Sequence, residues 1–216
     1  MFMLSLVACK FGSDYTQTNQ NLENKNGAVS STSRLASAAG IDIMKKGGNA
    51  FDAIVATGFT LAVTSPSNGN IGGGGFMVAR TANGEIVTLD FREKAPTLSY
   101  ETMFLDENGN YSRNLALLSH KSSGVPGTVD GLIKIFDDYG SGNFTIDEIL
   151  SYAIKYAENG FPVTELVAYY MKNASRNFKD YPNFKETYFI DDSTPEKGQV
   201  FKNPDLAYTL RTIIKN

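Results

Sequence analysis

The stretch that decides the fold is Ser65-Pro66-Ser67-Asn68-Gly69-Asn70-Ile71-Gly72-Gly73-Gly74-Gly75, which continues directly into Phe76-Met77-Val78. Four consecutive glycines lose much backbone freedom on ordering, so a folded protein keeps them where φ is positive or where a Cβ would not fit. A flexible surface loop is the alternative, but such a linker has polar residues on both sides. Here apolar residues flank the run, at 61–63 and 76–78. We therefore expect a closely packed junction between a helix and a strand, deep in a domain.

The composition of the chain is that of an ordinary globular protein. Its 216 residues suffice for one sizeable domain or two small ones. The net charge is −3 and no basic block stands out, so there is no electrostatic reason to expect nucleic acid as a partner. The single cysteine, Cys9, and the single histidine, His120, argue against an intrachain disulfide, a cysteine metal cluster and a histidine-based metal site. We predict no metal and no cofactor.

The first 26 residues differ in composition from the rest of the chain. A short apolar run, residues 1–8, ends at Cys9 and resembles the bacterial lipobox, in which small residues precede a cysteine that becomes lipidated. The run is too short to span a membrane and lacks the basic start of an export signal. The polar residues 12–26 resemble a disordered tether. We expect a signal-like segment and tether over 1–26, lipidation at Cys9, and an exported protein that is periplasmic or lipid-anchored. The alternative is an unstructured start of a cytosolic protein.

Periodicity and capping residues predict a mixed α/β domain over residues 27–216. The Asn83-Gly84 pair between two apolar segments indicates a hairpin. Thr145 and Glu148 have the spacing of a capping box, and Asn203-Pro204 is typical of a helix start. The predicted elements are a short strand over 27–30, a helix over 31–46, a buried helix over 50–64, strands over 76–81 and 85–91, and helices over 128–139, over 145–159, from 164 past 170 and from 204 onward.

Tests for common catalytic motifs exclude most of them. The glycine run lacks the Gly-Lys-Ser/Thr ending of a P-loop and the spacing of a dinucleotide fingerprint. His120 is the only candidate base for a serine triad, and no Gly-x-Ser-x-Gly turn accompanies it. We interpret His120 as a polar loop residue or a structural one, and we predict no catalytic residue in this chain.

Arg92 is the best candidate for a binding residue. It follows Phe91 at the end of a predicted core strand, beside Asp90 and Glu93. An arginine at such a place can present a planar fork of donors to a carboxylate. The residues alone leave two interpretations open, a ligand-binding arginine and an ion pair with Asp90, Glu93 or another acid.

Five segments, in order along the chain, resemble the gamma-glutamyltransferase (glutathione hydrolase) family. They are residues 46–53 (Lys-Gly-Gly-Asn-Ala-Phe-Asp-Ala), 66–76 with the four glycines, 90–96 (Asp-Phe-Arg-Glu-Lys-Ala-Pro), 124–128 (Gly-Val-Pro-Gly-Thr) and 157–163 (Ala-Glu-Asn-Gly-Phe-Pro-Val). Several ordered motifs are far more specific than one alone. The similarity is to the N-terminal part of the large subunit and extends from about residue 27 to the end.

The resemblance implies a layered αββα sandwich of the N-terminal-nucleophile hydrolase type, incomplete in this chain, and a precursor that cuts itself into a large and a small subunit. In the family, the new N-terminal threonine of the small subunit attacks the gamma-glutamyl amide of glutathione, and its own α-amino group can serve as the base. The acyl group then passes to water or to an acceptor amino acid or peptide. By the same resemblance, Arg92 holds the α-carboxylate of the gamma-glutamyl group. The implied partners are glutathione or other gamma-glutamyl compounds, and a small subunit from the same precursor or another chain.

The chain departs from the family in its length, because a complete precursor is more than twice as long. No segment resembles the processing-site threonine, or the small-subunit residues that hold the α-amino group and the oxyanion. We therefore expect a partial large subunit that is inactive alone and exposes apolar surface where its partner is missing. One alternative is a non-catalytic, surface-tethered binding module or inactive remnant on the same scaffold. Another is an amidase for other acyl amides, such as beta-lactam side chains.

Overall fold

The chain folds mainly into helices, with two short antiparallel strand pairs. The computed structural model describes residues 27–215, so the predicted tether 1–26 and the predicted lipidation site Cys9 lie outside the described residues. In chain order the elements are α1 Arg34–Lys45, α2 Ala50–Thr64, β1 Phe76–Arg80, β2 Ile86–Asp90, α3 Arg113–Leu118, a 3₁₀ turn at His120–Ser122, α4 Thr128–Tyr139, α5 Ile146–Asn159, β3 Phe161–Pro162, α6 Glu165–Phe178, α7 Pro182–Tyr188, β4 Val200–Phe201 and α8 Pro204–Lys215.

The central helix of the core is α2, as its apolar sequence predicts. It packs against α1, α4 and α5, and α5 also packs against α8. The most deeply buried side chains include Val55 and Phe59 of α2, Ile149 and Leu150 of α5, and Leu210 of α8. Burying one such side chain contributes about 1.5–3 kcal/mol. This helical layer is therefore the stable platform on which the strands and loops lie.

Local capping fixes where several helices begin. The predicted capping box of Thr145 and Glu148 is confirmed at the start of α5. The predicted start of α8 is also confirmed, because the Asn203 side chain accepts a hydrogen bond from the backbone of the first turn. The predicted strand over 27–30 is wrong. The first residue of that segment approaches the Met44 side chain of α1, and the segment pairs with no strand of the described chain.

The predicted hairpin is confirmed by β1 and β2, which run antiparallel with Phe76 opposite Asp90. Gly84 lies in the connecting loop with a φ of 91°, a conformation that glycine adopts without a steric penalty. Side chains alternate between the two faces of the pair. Met77 is buried against the helices, whereas Val78 is on the opposite face and is 77% exposed. One face of the hairpin therefore completes the core and the other is open.

Short elements in the second half escape the sequence-based prediction because they are too brief for a periodic pattern. They include α3, α7 and the two-residue strands β3 and β4. The two strands pair antiparallel with Phe161 opposite Phe201, whose rings meet edge to face at 6.0 Å. Tyr188 at the end of α7 stacks on the Phe201 ring, and burial raises the pKa of its hydroxyl. Between residues 27 and 215, no helix combines the length and the apolar character needed to cross a membrane.

Candidate carboxylate-binding site

The four glycines lie against the backbone of the segment that carries Arg92. A Cβ added at Gly74 would lie 2.6 Å from the Phe91 carbonyl oxygen and 2.7 Å from Arg92 Cα. Gly75 and Phe91 exchange two backbone hydrogen bonds, of 3.3 and 3.0 Å, which extend the hairpin by one pair. None of the four glycines has a positive φ. Close approach between two backbones is therefore the reason that this junction requires glycine.

The predicted close packing of the glycine run is confirmed, but its predicted depth is wrong for the described chain. Gly72 and Gly74 are exposed, while Gly73 and Gly75 are half-buried. The run lies at the rim of an open hollow and next to the uncovered face of the hairpin, so solvent reaches one side of it.

The N-terminus of α4 joins the same junction. The Gly73 carbonyl oxygen accepts hydrogen bonds from the backbone N–H groups of Gly127 and Thr128, at 2.8 and 3.0 Å. A Cβ added at Gly127 would lie 2.1 Å from the Phe91 carbonyl oxygen, so this position also needs glycine. Three segments that are distant in sequence therefore meet around Arg92: the glycine run, the end of β2 and the start of α4.

The segment that carries Arg92 is held at both ends. The hairpin ends at Asp90, and strand pairing resumes at Lys94, which exchanges backbone hydrogen bonds of 3.0 and 2.8 Å with Val125. Within the segment, the Asp90 carboxylate accepts the backbone N–H of Arg92 at 3.0 Å. Arg92 and Glu93 thus occupy a short irregular stretch between two anchored points.

The guanidinium of Arg92 forms no hydrogen bond with an acid among residues 27–215. Its Nε lies 3.8 Å from Glu93 Oε2, beyond hydrogen-bond distance, and 65% of its side-chain surface is exposed. Asp90 binds the backbone of Arg92 and not its side chain. The guanidinium carbon lies 5.9 Å from the centroid of the Phe76 ring, within the range of a cation–π contact. The ion pair with Glu93 is therefore one loose, solvent-exposed contact. The N–H donors of the Arg92 guanidinium remain available to a ligand.

A second open hollow, of about 510 Å³, adjoins the Arg92 side chain. It is lined by residues 90–94, residues 125–127 and Asp130 of α4. Its wall carries two cationic side chains, Arg92 and Lys94, together with several acids. A guanidinium fork at the edge of such a hollow can bind a ligand carboxylate through two parallel hydrogen bonds, and the acids can take up a ligand ammonium group.

The other candidate from the sequence lies elsewhere. His120 is exposed in the 3₁₀ turn after α3 and does not line the hollow. In the part of the chain that the structure describes, no group of three His, Cys, Asp or Glu side chains could hold a metal ion.

Two neighbours of Arg92 escape the analysis of the sequence. Phe76 lies under the guanidinium, and Asp130 shares the wall of the hollow. The first could have been found, since the hairpin register places Phe76 opposite Asp90, two residues before Arg92. The second depends on how α4 docks on the junction, which leaves no local signal in the sequence.

Comparison with known proteins identifies the family. The family model described as gamma-glutamyltranspeptidase matches residues 36–216, most of the chain. The chain belongs to this family. The resemblance carried by the five ordered segments is therefore confirmed.

Individual gamma-glutamyltranspeptidase relatives show how much of the family's length this chain represents. The glutathione hydrolase proenzyme of Escherichia coli (strain K12) is 50% identical over 117 residues, which are 54% of this chain and 20% of that protein. The glutathione hydrolase proenzyme of Pseudomonas aeruginosa is 43% identical over 187 residues, which are 87% of this chain and 32% of that protein. The chain thus spans about a fifth to a third of these two curated relatives.

A solved structure confirms the fold class. The crystal structure of Helicobacter pylori gamma-glutamyltranspeptidase matches with a TM-score of 0.84 and 42% sequence identity, over 88% of this chain and 54% of that chain. The chain therefore carries part of the N-terminal-nucleophile hydrolase fold of the gamma-glutamyltranspeptidases, as predicted.

Proposed function

We propose that this chain binds the substrate of a glutathione hydrolase, or gamma-glutamyltransferase, by holding its α-carboxylate with Arg92. The complete enzyme would cleave the gamma-glutamyl amide of glutathione and pass the acyl group to water or to an amino acid. The observation that carries the proposal is the exposed Arg92 guanidinium beside an open hollow, with no hydrogen-bonded acid in residues 27–215. The relatives named glutathione hydrolase support the substrate class.

The reaction needs a nucleophile, which we place in a small subunit from the same precursor or from a separate chain. Its N-terminal threonine hydroxyl attacks the gamma-glutamyl carbonyl, and its α-amino group takes the hydroxyl proton. The amide C–N bond breaks and the leaving amine receives that proton. Water or an acceptor amine then attacks the acyl-enzyme ester, the bond to the threonine oxygen breaks, and the proton of the attacking group passes through the α-amino group to that oxygen. Arg92 contributes by fixing the α-carboxylate, which sets the position of the carbonyl carbon relative to the threonine.

The open face of the hairpin is evidence for the proposed partner subunit. Phe76, Val78 and Ile86 lie on this face and are 64%, 77% and 63% exposed. Several exposed apolar side chains on one face of a strand pair are typical of an interaction site in a soluble protein. We therefore expect this chain to show no turnover of a chromogenic gamma-glutamyl anilide when it is assayed alone. Turnover above background would contradict that expectation.

We also propose that the protein is exported and held at a membrane surface by lipid on Cys9. The support for this proposal is the apolar run of residues 1–8 and the polar stretch 12–26 that follows the cysteine. Mass spectrometry of the N-terminus should find an acylated Cys9 as the first residue, whereas an intact, unmodified Met1 would contradict the anchor.

The role of Arg92 is tested in the enzyme expressed from the locus that encodes this chain, together with its continuing or adjacent reading frame. Arg92→Ala and Arg92→Lys should raise KM for gamma-glutamyl substrates, because alanine removes the fork and lysine cannot form two parallel bonds. A hydrogen bond to a charged group contributes about 1.5–3 kcal/mol, which corresponds to about 10- to 150-fold in KM. The measurement is steady-state hydrolysis of the gamma-glutamyl anilide.

Arg176 provides a matched control, because it is exposed near the end of α6 and does not line the hollow. Arg176→Ala and Arg176→Lys should leave KM unchanged. An unchanged KM in both Arg92 variants contradicts the proposed carboxylate clamp. A locus with no frame for a processing-site threonine contradicts the enzyme itself and supports a non-catalytic binding module on this scaffold.

A further inference from the structure

The ring of Phe91 lies in a socket made by glycines on both neighbouring segments. A Cβ added at Gly131 of α4 would lie 2.2 Å from Phe91 Cγ and 2.5 Å from Phe91 Cβ. A Cβ at Gly75 would lie 2.8 Å from the ring atom Cε2, and one at Gly127 would lie 2.1 Å from the Phe91 carbonyl oxygen. We call these three glycines the Phe91 socket. A Cβ on any of them would overlap with Phe91, so the space that Phe91 fills exists only because these positions are glycine.

The position of Phe91 controls the position of Arg92, because the two residues share a peptide bond. The backbone is held on both sides of Arg92. Phe91 forms backbone hydrogen bonds with Gly75, and Lys94 forms them with Val125. A displacement of Phe91 therefore cannot be relieved by sliding the strand, and it must be absorbed in the irregular stretch that begins with Arg92. The socket consequently sets the point from which the guanidinium reaches the hollow.

Gly131 is the most informative of the three socket residues. It is buried in the first half of α4 and lies directly against the start of the Phe91 side chain. A glycine inside a helix destabilises it by about 1 kcal/mol relative to alanine. Alanine at this position would therefore make α4 more stable if nothing lay against it. The absence of a Cβ is explained by the space that Phe91 occupies.

We infer that Gly131 is a positioning residue for the carboxylate clamp, acting on Arg92 through Phe91. The inference rests on the proposed function, in which Arg92 binds the α-carboxylate of the substrate. The inference adds that α4 determines the position of the Arg92 guanidinium, although α4 contributes no guanidinium to the hollow. Substrate affinity then depends on a helix–strand contact on the protein side of Arg92.

The test compares Gly131→Ala with Gly58→Ala. Gly58 is also helical, and the three atoms nearest to a Cβ there, from 3.0 Å, all belong to the side chain of Leu132, one residue along α4 from Gly131. In the isotope-labelled chain, Gly131→Ala should shift the NMR resonance of the Arg92 side-chain Nε–H, while Gly58→Ala leaves it in place. In the enzyme from the complete locus, Gly131→Ala should raise KM by about 10- to 100-fold with a much smaller change in kcat, as expected for a misplaced substrate-binding group.

Two further variants make the outcome decisive. In a Phe91→Ala background the added methyl group meets fewer atoms, so Gly131→Ala should raise KM by a smaller factor than it does beside the natural phenylalanine. If Gly131→Ala fails to fold, Gly75→Ala takes its place. The three atoms nearest to its methyl group, from 2.8 Å, all lie on the edge of the Phe91 ring, so it should shift the same resonance by less.

The results separate this inference from the proposed function. If Arg92→Lys raises KM but the socket variants leave both KM and the Arg92 resonance unchanged, the inference is wrong and the clamp stands. If both Arg92→Ala and Arg92→Lys leave KM unchanged, the clamp itself is wrong. A shifted Arg92 resonance together with a raised KM supports both.

Discussion

Two motif segments of this family member carry charged side chains in opposite situations. In the first, residues 46–53 from the turn after α1 into the first turn of α2, the Asp52 carboxylate is 0% exposed. It accepts backbone N–H bonds from Asn49 at 2.8 Å and from Ser141 at 3.1 and 3.2 Å. In the second, residues 90–96, the Arg92 guanidinium is largely exposed and lies 3.8 Å from its nearest acid. A charged group with its partners inside the fold serves the fold, whereas one without them is available to a ligand.

The first segment joins parts of the chain that are far apart in sequence. The Asn49 side chain caps α2 and also donates a hydrogen bond of 2.8 Å to the Tyr139 carbonyl oxygen at the end of α4. The Asn143 side chain donates in return to the Gly47 carbonyl oxygen at 2.9 Å. The loop between α4 and α5 is therefore fastened to the turn between α1 and α2, and the motif there is structural.

Among substitutions in the two segments, we expect the largest loss of stability at Asp52. Asp52→Ala leaves the N–H groups of Asn49 and Ser141 without their acceptor. A buried unsatisfied donor costs about 1–3 kcal/mol, and these two donors are part-buried, so we expect the free energy of unfolding to fall by about 2–4 kcal/mol. Urea unfolding of the full chain measures the loss. Asp147→Ala is the control, because Asp147 is an exposed acid in the first turn of α5 and its removal should cost only about 0.3–1 kcal/mol. Equal losses at the two positions would contradict the structural role of the first segment.

Local signals in the sequence predict the helices and the hairpin well. The capping box at Thr145 and the Asn83-Gly84 turn work within a few residues of themselves, so the pattern alone determines them. The wrong prediction for residues 27–30 has the opposite cause, since a strand exists only if another strand lies beside it.

The candidate site is predictable only in part, for the same reason. The glycine run shows that something approaches closely, but not that the approaching groups are the Phe91 backbone and the start of α4. The sequence also leaves open whether Arg92 pairs with its neighbouring acids. The answer depends on Asp90 turning to the backbone N–H of Arg92 and on the hollow formed with α4, and both are properties of the folded chain.

A second prediction concerns the backbone of the second segment, which is held tightly although the Arg92 guanidinium has no hydrogen-bonded acid within residues 27–215. Gly74→Ala places a methyl group 2.6 Å from the Phe91 carbonyl oxygen, and backbone cannot yield as a flexible side chain can. We expect a loss of about 1–3 kcal/mol in the free energy of unfolding. Gly72→Ala is the control from the same run, because its methyl group would meet only Asn70 Oδ1, at 3.6 Å. It should be neutral or stabilising by up to about 1 kcal/mol. Similar losses in both variants would show that the run is not held by contact with Phe91.

The smallest expected effect is at Asp42, which pairs with Lys46 at the start of the first segment. Lys46 Nζ lies 2.8 Å from Asp42 Oδ2 and donates to the Tyr152 hydroxyl of α5 at 2.9 Å, and that hydroxyl donates to Asp42. The bonds from Lys46 and Tyr152 lower the pKa of Asp42. A carboxyl with a lowered folded-state pKa adds stability above its unfolded pKa and loses it as the pH falls through the folded value. Asp42→Asn should therefore lower the urea midpoint slightly at pH 7 and match the parent chain once the pH lies below the lowered folded-state pKa of Asp42.

The control for Asp42 is Asp138→Asn, since Asp138 pairs with Lys134 at the same helical spacing, at 2.7 Å and with similar exposure, but without a tyrosine from another helix. A smaller shift in the control is expected, and an equal shift, or a difference at Asp42 that persists in acid, would contradict the tie to α5. The result bears on the comparison because Lys46 is 57% exposed, close to the 65% of Arg92. Exposure alone therefore does not separate the two cations. Among residues 27–215, Lys46 has two hydrogen-bond partners, whereas the Arg92 guanidinium has a 3.8 Å approach to Glu93 and a ring contact with Phe76. This difference in partners supports the proposal that Arg92 binds a ligand.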